Sequence, residues 1–374
     1  MLIDIHSGDD LLKEEYMKLA INLARATAHQ TSPNPAVGAV VVNNGEIVGM
    51  GAHLKAGEAH AEVNALSMAG DRAKGGTIYV TLEPCAHFGR TPPCADLIIK
   101  KQLSKVVIAS SDPNPLVAGL GIEKLRNAGI SVETGVLQEE ADALNSVFFH
   151  YIRQRTPYVT LKMACSLDGK TATAGGESKW ITCEASRLDG HTQRRIHDAI
   201  LVGIGTVMAD DPKLTARSES IAENPIRVVL DTHLRIREDA RVVTDGAAAT
   251  WIFTGRTIDG DKARRLQSEQ VTVIRLPSES IAIKDVLNDL GQKGVTSLLV
   301  EGGSAVHGSF LKAKAFNRVI AYIAPKLIGG RDAVPAIGGT GIRYLADVPE
   351  LSIKNVERLD QDLKVTLIPK AGDF

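Results

Sequence analysis

Residues His60-Ala61-Glu62, followed by Pro84-Cys85 and later by Cys94, form the stretch that decides the fold of the first half of this chain. One imidazole and two thiolates make three ligands, which is the number that a catalytic zinc site usually takes from the protein. The fourth position is left to water, whose proton the metal makes acidic near neutral pH. Glu62 lies two residues from His60, so it can stand beside the metal without binding it and carry protons. The pattern therefore predicts a zinc site with its own proton shuttle.

His-x-Glu followed by Pro-Cys and a second Cys is the signature of zinc deaminases of nucleobases, which usually carry the cysteines as Cys-x-x-Cys. Here the eight residues 86–93 separate Cys85 from Cys94, and their glycine and two prolines predict a loop that returns the second thiolate to the metal. Taken singly, a His-x-Glu pair is usually a surface feature and a free cysteine a small buried apolar residue. The order of all four residues and their context favour the catalytic site.

The strands and helices predicted around these residues place them at element ends. Residues 37–42 form a β-branched run before Asn44-Gly45, which predicts a hairpin with a type I′ turn. Residues 77–82 predict a buried strand that delivers Cys85 at its C-terminal end, where open α/β sheets bind ligands. Helices predicted over 61–68 and 95–103 put His60, Glu62 and Cys94 at helix starts, which favour negative charge and hence thiolates.

The composition of the 374 residues indicates a globular enzyme of two domains. The net charge is −1, so no basic surface for nucleic acid is expected. Residues 1–10 lack the pattern of a signal peptide, and no run approaches the ~18 apolar residues of a membrane helix. The four cysteines show no pairing pattern, because two are assigned to metal and Cys165 and Cys183 stand alone. A cytoplasmic location without membrane contact is therefore expected.

The boundary is predicted near residues 151–157, where a basic helical end closes at a proline, which gives domains 1–155 and 156–374. Strands and helices alternate in the second half, and two strands run into the glycine turns at 203–205 and 302–303. Such turns let backbone N–H groups approach phosphate, although ordinary tight turns explain them more often. The Rossmann fingerprint is absent, because Met208 stands at its third glycine.

Over nearly its whole length, the chain resembles the bifunctional deaminase and reductase family of riboflavin biosynthesis. The eight-residue cysteine spacing is the form that this family uses. The remaining similarity lies in short motifs of both halves: Pro33-Asn34-Pro35, residues 57–62, Thr81-Leu82-Glu83-Pro84-Cys85, residues 89–94 and 112–115, Ser166-Leu167-Asp168-Gly169, residues 177–182 and 209–215, and Val300-Glu301-Gly302-Gly303.

The resemblance implies an α/β fold with an N-terminal cytidine-deaminase-like three-layer domain and a C-terminal dihydrofolate-reductase-like domain. It implies Zn²⁺ and NADPH as cofactors and 2,5-diamino-6-ribosylamino-4(3H)-pyrimidinone 5′-phosphate as substrate. The first half would deaminate the pyrimidine ring, with Glu62 as the acid–base residue. The second would reduce the ribosyl group to ribityl. The preference for NADPH over NADH rests on the resemblance alone.

The resemblance also implies further site residues. Asn34 and His53 would contact the deaminase substrate. Ser178, Arg194, Leu214, Arg217 and Glu301 would face the reductase substrate, with arginine suited to its phosphate. By residue type alone, Arg194 looks like part of a solvated helix face, and Trp180 could be a core residue. The cofactor contacts would be Ala164, Trp180, Thr206, Asp210 and Thr232, with a phosphate-binding turn of Gly303, Ser304, Ala305, Val306, His307, Gly308 and Ser309.

Three alternatives stay open at this stage. The first is a cytidine-type or tRNA-adenosine-type zinc deaminase with an accessory domain, which leaves the strand-rich second half and the cysteine spacing unexplained. The second is a monofunctional protein whose reductase half has degenerated. The third is a non-catalytic zinc-binding scaffold, which would normally have four closed ligands. A homo-oligomer is possible, and the sequence does not decide it.

Overall fold

The computed structural model describes residues 8–88, 92–114, 118–216 and 224–370. It divides into two compact units, Met1–Arg155 and Thr156–Phe374. Across the described ranges, no helix combines the length and the apolar content that crossing a membrane requires.

Unit one is a five-stranded sheet between two helix layers. One face carries a buried cluster that includes Leu66, Ile98 and Leu125, and the other carries a cluster that includes Met17 and Ile21. The sheet order is β2-β1-β3-β4-β5, with β1 antiparallel to both neighbours and β3, β4 and β5 parallel. Its elements are α1 Gly8–Thr27, β1 Gly38–Asn43, β2 Glu46–Ala52, α2 Ala61–Ala69, β3 Thr77–Leu82, α3 Cys94–Lys100, β4 Lys105–Ser110, α4 Leu120–Asn127, β5 Ser131–Thr134, α5 Gln138–Leu144 and α6 Ser146–Gln154.

Local backbone chemistry explains the hairpin and one helix end of unit one. Asn44 and Gly45 have φ values of 51° and 79°, so both central residues of the turn take the positive φ that a type I′ turn requires. The helix predicted over 95–103 ends earlier, at Lys100. Gln102 takes a left-handed conformation with φ 56°, which stops the helix before the chain enters β4.

Unit two is a nine-stranded sheet in the order β11-β10-β9-β8-β12-β6-β13-β16-β15, beside the small β7–β14 pair. The seven strands from β11 to β13 are parallel, and β16 and β15 continue antiparallel. The elements are β6 Tyr158–Ser166, β7 Lys170–Ala172, α7 Glu184–Arg195, β8 Ala199–Gly203, α8 Ile204–Asp210, β9 Ile226–Leu230, α9 Arg241–Thr244, β10 Thr250–Thr254, α10 Gly260–Leu266, β11 Val271–Arg275, α11 Ile283–Gln292, β12 Ser297–Gly302, α12 Ser304–Lys312, β13 Arg318–Ala324, β14 Val334–Pro335, β15 Leu351–Leu359 and β16 Asp362–Pro369.

The parallel part of this sheet is buried on both faces. One apolar cluster includes Leu161 and Val300, and the other includes Ile200 and Val229. Burial on both faces explains why these strands are runs of apolar residues without strict alternation. The arrangement brings the C-terminal ends of β6, β8 and β12 to one edge of the sheet.

The close packing of α1 on β1 gives a stability test. A Cβ atom on Gly38 would lie 2.0 Å from the carbonyl oxygen of Ala20, so Gly38→Ala must push the helix from the strand. We expect the free energy of unfolding to fall by about 1–3 kcal/mol, which is the usual cost of overpacking. Gly260→Ala is the control, because its Cβ atom would meet no atom within 4 Å. Urea unfolding followed by circular dichroism, with hydrogen exchange of α1 and β1, measures the effect. Equal unfolding midpoints for the two variants would contradict this account.

Candidate active sites

Three side chains of unit one lie close enough to hold one metal ion. His60 Nδ1 is 3.2 Å from Cys94 Sγ and 3.7 Å from Cys85 Sγ, and the three donor atoms lie within 4.8 Å of one another. His60 caps the start of α2, Cys85 follows β3, and Cys94 begins α3. The loop between the cysteines closes at its base, because Cys94 N–H donates to Cys85 Sγ and Ala95 N–H donates to Cys85 O.

The donor set fits Zn²⁺. Tetrahedral zinc with sulfur and nitrogen ligands sets them about 3.5–3.8 Å apart, close to the distances seen here. Hydrogen bonding with Cys94, helped by His60, lowers the pKa of the Cys85 thiol, although burial opposes this change. The same hydrogen bond, together with burial, raises the pKa of the Cys94 thiol. Three protein donors are the usual number for a catalytic zinc rather than a structural one.

Glu62 lies in the first turn of α2 and is 3% exposed. Burial raises the pKa of its carboxyl to about 7, and the neighbouring charge of His60 acts against this rise. A pKa near the working pH suits a group that must both accept and donate a proton.

A cavity of about 220 Å³ joins the metal cluster to the other residues predicted for this site. Asn34 Nδ2 donates to His53 Nε2 over 3.1 Å, so the ring proton stands on Nδ1, 3.1 Å from the carbonyl oxygen of Ala59. The structure thus brings Asn34 and His53 together with His60 and Glu62 in one lining.

The same cavity is lined by His87, Asp112 and Asn114, to which the sequence had given no role. A signal for two of them was present. Asp112 and Asn114 follow β4, the parallel neighbour of β3, and the C-terminal ends of parallel strands meet at one sheet edge.

A larger cleft of about 700 Å³ lies in unit two. Six Lys or Arg residues line it against four Asp or Glu residues, which favours an anionic ligand. The structure brings together there seven residues predicted for the second site: Ala164, Ser178, Trp180, Arg194, Asp210, Leu214 and Glu301.

Arg194 and Glu301 form a bidentate ion pair at this cleft. Arg194 Nε is 2.8 Å from Glu301 Oε1 and Nη2 is 2.6 Å from Oε2, while Nη1 donates to Thr215 O over 3.2 Å. Burial acts to raise the pKa of Glu301, but the charges of Arg194 and Lys162 lower it to about 2. The view of Arg194 as a solvated helix residue is therefore wrong. Its guanidinium fork here meets Glu301 rather than standing open to a phosphate.

Lys162 is a cleft residue that the sequence reasoning did not select. Its Nζ lies 5.5 Å from the ring centroid of Tyr322, on the neighbouring strand β13. The available signal was strand periodicity, because Lys162 and the predicted cofactor residue Ala164 are two positions apart on β6 and share a face.

Trp180 lies at the mouth of the same cleft, 63% exposed, so its interpretation as a core residue is wrong. The guanidinium of Arg187 lies 4.6 Å from its ring centroid. Lys179 and Asp210 form an ion pair of 3.2 Å beside it. The Trp180 indole therefore presents a flat apolar surface at the cleft and is in contact with the guanidinium of Arg187.

The prediction of a turn from Gly303 to Ser309 is wrong, because the chain is helical from Ser304, where α12 begins. The N–H groups of Val306 and His307 already donate to the carbonyl of Gly303. The buried ring of His307 lies 3.0 Å from Ala336 O and 3.3 Å from Val300 O. Helix hydrogen bonding thus restricts an anion to the N–H groups at the start of α12.

Three further predicted residues lie elsewhere. Thr206 Oγ1 is 3.3 Å from the point where a Cβ atom on Gly303 would stand, so Thr206 borders the start of α12 without lining the cleft. Thr232 follows β9, and its carbonyl accepts from Gly255 N–H over 3.0 Å. Arg217 lies outside the described residues.

Comparison with known proteins matches both halves. The model of the cytidine and deoxycytidylate deaminase zinc-binding region matches residues 12–110, and the RibD C-terminal domain matches residues 157–365. The riboflavin biosynthesis protein RibD of Bacillus amyloliquefaciens is 54% identical, over 96% of this chain and 97% of its own length. RibD of Escherichia coli strain K12 is 41% identical, over 95% and 99%.

Solved structures agree over nearly the full length of the chain. Acinetobacter baumannii RibD, form 1, has a TM-score of 0.85 and 39% identity, over 96% of this chain and 99% of that one. A diaminohydroxyphosphoribosylaminopyrimidine deaminase/5-amino-6-(5-phosphoribosylamino)uracil reductase from Thermotoga maritima has a TM-score of 0.83 and 37% identity, over 97% and 100%.

These matches confirm the expected fold class of both halves. They do not favour a monofunctional zinc deaminase with an accessory domain or a non-catalytic zinc scaffold. The match over residues 157–365 explains the strand-rich second half that a simple deaminase would leave unexplained. This chain therefore belongs to the RibD family of riboflavin biosynthesis proteins, as a bifunctional deaminase and reductase whose cofactors are Zn²⁺ and NADPH.

Proposed function

We propose that residues 1–155 carry the zinc-dependent deaminase and residues 156–374 the NADPH-dependent reductase, and that both act on 2,5-diamino-6-ribosylamino-4(3H)-pyrimidinone 5′-phosphate and its product. The observation that carries the proposal is the metal cluster of His60, Cys85 and Cys94. Two of its members, His60 and Cys85, line one cavity with Glu62. The name of the Thermotoga maritima relative supports the substrate class. The net charge of −1 favours a small substrate over nucleic acid.

In the deaminase, His60, Cys85 and Cys94 would hold Zn²⁺, which acts when bound as a Lewis acid that makes water a better nucleophile. Glu62 accepts the proton of the attacking water at its carboxylate and returns it to the ring amino nitrogen, so that water enters and ammonia leaves. Its pKa of about 7 allows both transfers. The Asn34–His53 hydrogen bond fixes the Asn34 amide, whose carbonyl oxygen is left to accept from a ring amino group.

In the reductase, hydride transfer is the chemistry of the cofactor, and the protein supplies orientation and charge. Ala164, Trp180 and Asp210 of the cleft are proposed contacts of NADPH, with Thr206, Thr232 and the start of α12 toward its phosphates. Ser178, Leu214 and Arg217 are proposed contacts of the substrate. The Glu301–Arg194 pair forms the charged floor of the cleft, and the excess of cations attracts the 5′-phosphate.

The metal assignment is tested by removing one sulfur. Cys94→Ser should lose most of the zinc that the wild-type protein binds at about one ion per chain, because alcohol oxygen is a poor zinc ligand. Cys183→Ser is the control, since Cys183 lies at the start of α7 and its Sγ contacts Ser186 and Leu359. Metal analysis after dialysis measures both. Full zinc retention by Cys94→Ser would remove Cys94 from the site.

The role of Glu62 is tested by Glu62→Gln, which keeps the size of the side chain but cannot carry a proton. We expect ammonia release to fall by roughly two to four orders of magnitude, the usual scale of acid–base catalysis, while zinc is retained. Glu58→Gln, an exposed change in the preceding loop, should have no effect. Near-normal deamination by Glu62→Gln would exclude this residue from the mechanism.

The two half-reactions should be separable, because the proposed sites lie in different compact units and share no lining residue. Glu62→Gln or zinc removal should leave reduction of the deaminated substrate intact. Glu301→Ala and the isosteric Glu301→Gln should impair reduction and spare deamination, since both disturb the pairing of Arg194. NADPH oxidation and ammonia release are measured on each variant. Loss of reduction on zinc removal would point to a single composite site.

A further inference from the structure

Glu83 is a buried carboxylate beside the metal cluster that the mechanism above does not use. It lies between β3 and Cys85 and is 4% exposed. Its Oε1 accepts the N–H groups of Gly121 at 3.1 Å and Ile122 at 3.3 Å. Its Oε2 accepts those of Gly119 at 3.0 Å and Asp112 at 3.4 Å.

These four hydrogen bonds occupy all of the acceptor positions of the Glu83 carboxylate. A carboxylate has two oxygens with about four lone-pair positions, and each oxygen of Glu83 already receives two N–H donors. Glu83 borders the cavity, yet it keeps no free acceptor for a substrate or for a transferred proton. Its effect on the reaction must therefore pass through the backbone that it binds.

We propose that Glu83 is a positioning residue of the deaminase, which holds Asp112 and Asn114 in the cavity wall through the backbone N–H of Asp112; this inference rests on the proposed function of that cavity. The N–H of Asp112 binds Glu83 directly, and Asp112 Oδ1 in turn accepts the N–H of Asn114 at 2.8 Å. Both residues line the cavity with His60 and Glu62. One carboxylate thus bonds directly to Asp112 and, through Asp112, is connected to Asn114.

Helix α4 gives this anchor a fixed base. A Cβ atom on Gly121 would lie 2.0 Å from the carbonyl oxygen of Pro84. Only glycine therefore lets the start of α4 come this close to the backbone that precedes Cys85. Lys124 pairs with Asp96 of α3 at 2.5 Å, and Leu125 is fully buried in the core. Helix α4 is therefore fixed in place, and Glu83 connects the first turn of this helix to Asp112 in the cavity wall.

The chemistry of the anchor distinguishes glutamate from its amide. Glu83→Gln keeps the shape, but the amide has one acceptor oxygen, and its NH₂ group would face two backbone N–H donors. Buried donors without acceptors are costly, so two of the four bonds should break. Helix α2, which carries Glu62 and follows His60, is not among the partners of Glu83. The change should weaken substrate binding more than it slows the chemical step.

The test is steady-state deamination with zinc content measured in parallel. For Glu83→Gln we expect KM for the pyrimidine to rise about tenfold, kcat to stay within about threefold and zinc to remain at one per chain, because a lost binding contact raises KM with kcat unchanged. Gly121→Ala displaces the same anchor from the other side and should give the same pattern. Glu123→Gln, an exposed change on α4, should match the wild type.

Hydrogen exchange supplies a readout that does not depend on activity. The amides of residues 110–114 and 118–127 should exchange faster in Glu83→Gln than in Glu123→Gln. Unchanged KM, or unchanged exchange, overturns the proposal. Loss of kcat at constant KM would make Glu83 part of the chemical step. Loss of zinc in both Glu83→Gln and Gly121→Ala would give Glu83 a structural role. Either result also overturns the proposal. If the wild-type protein releases no ammonia, the proposed function fails. The hydrogen-exchange comparison still shows whether Glu83 holds the backbone of residues 110–114 and 118–127.

Discussion

Parallel strand pairing is the constraint on which both sites depend. In unit one, β3 and β4 run side by side with Leu82 opposite Ser110, so the residues that follow each strand emerge at the same edge. Glu83, Cys85, Asp112 and Asn114 all stand within four residues of those two strand ends. In unit two, β6 and β12 pair in parallel, which brings Ala164 and Glu301 to one edge. Backbone hydrogen bonding thus gathers side chains that are far apart in sequence.

Burial gives three glutamates three different tasks. Glu62 has few compensating charges, so burial raises its pKa to about 7 and lets it exchange protons. Glu301 is also buried, but Arg194 and Lys162 keep its pKa near 2, so it stays a fixed anion. Glu83 is buried against four backbone N–H groups and serves as an anchor. The side chain is the same in each case, and the partners that the fold brings to it decide its chemistry.

Local chemistry made part of this predictable. The Asn44-Gly45 turn, the strand before Glu83 and the helix starts at His60 and Cys94 depend on neighbours in sequence, and the structure has them as expected. The features that the sequence did not show depend on partners that are distant along the chain. Arg194 meets Glu301 across 107 positions. His307 faces a carbonyl 29 positions away, which no local pattern reports. Glu83 belonged to a recognised motif, yet its four donors come from a segment that follows another strand.

The closed base of the loop between the cysteines has a consequence for how such proteins can diversify. Two hydrogen bonds join the ends of this loop: Cys94 N–H donates to the side-chain sulfur of Cys85, and Ala95 N–H donates to the main-chain oxygen of Cys85. The position of Cys85 Sγ is therefore tied to the backbone at the start of α3. Loops tolerate insertion and exchange better than the elements that they connect, so changes between the two cysteines can leave both closing hydrogen bonds in place.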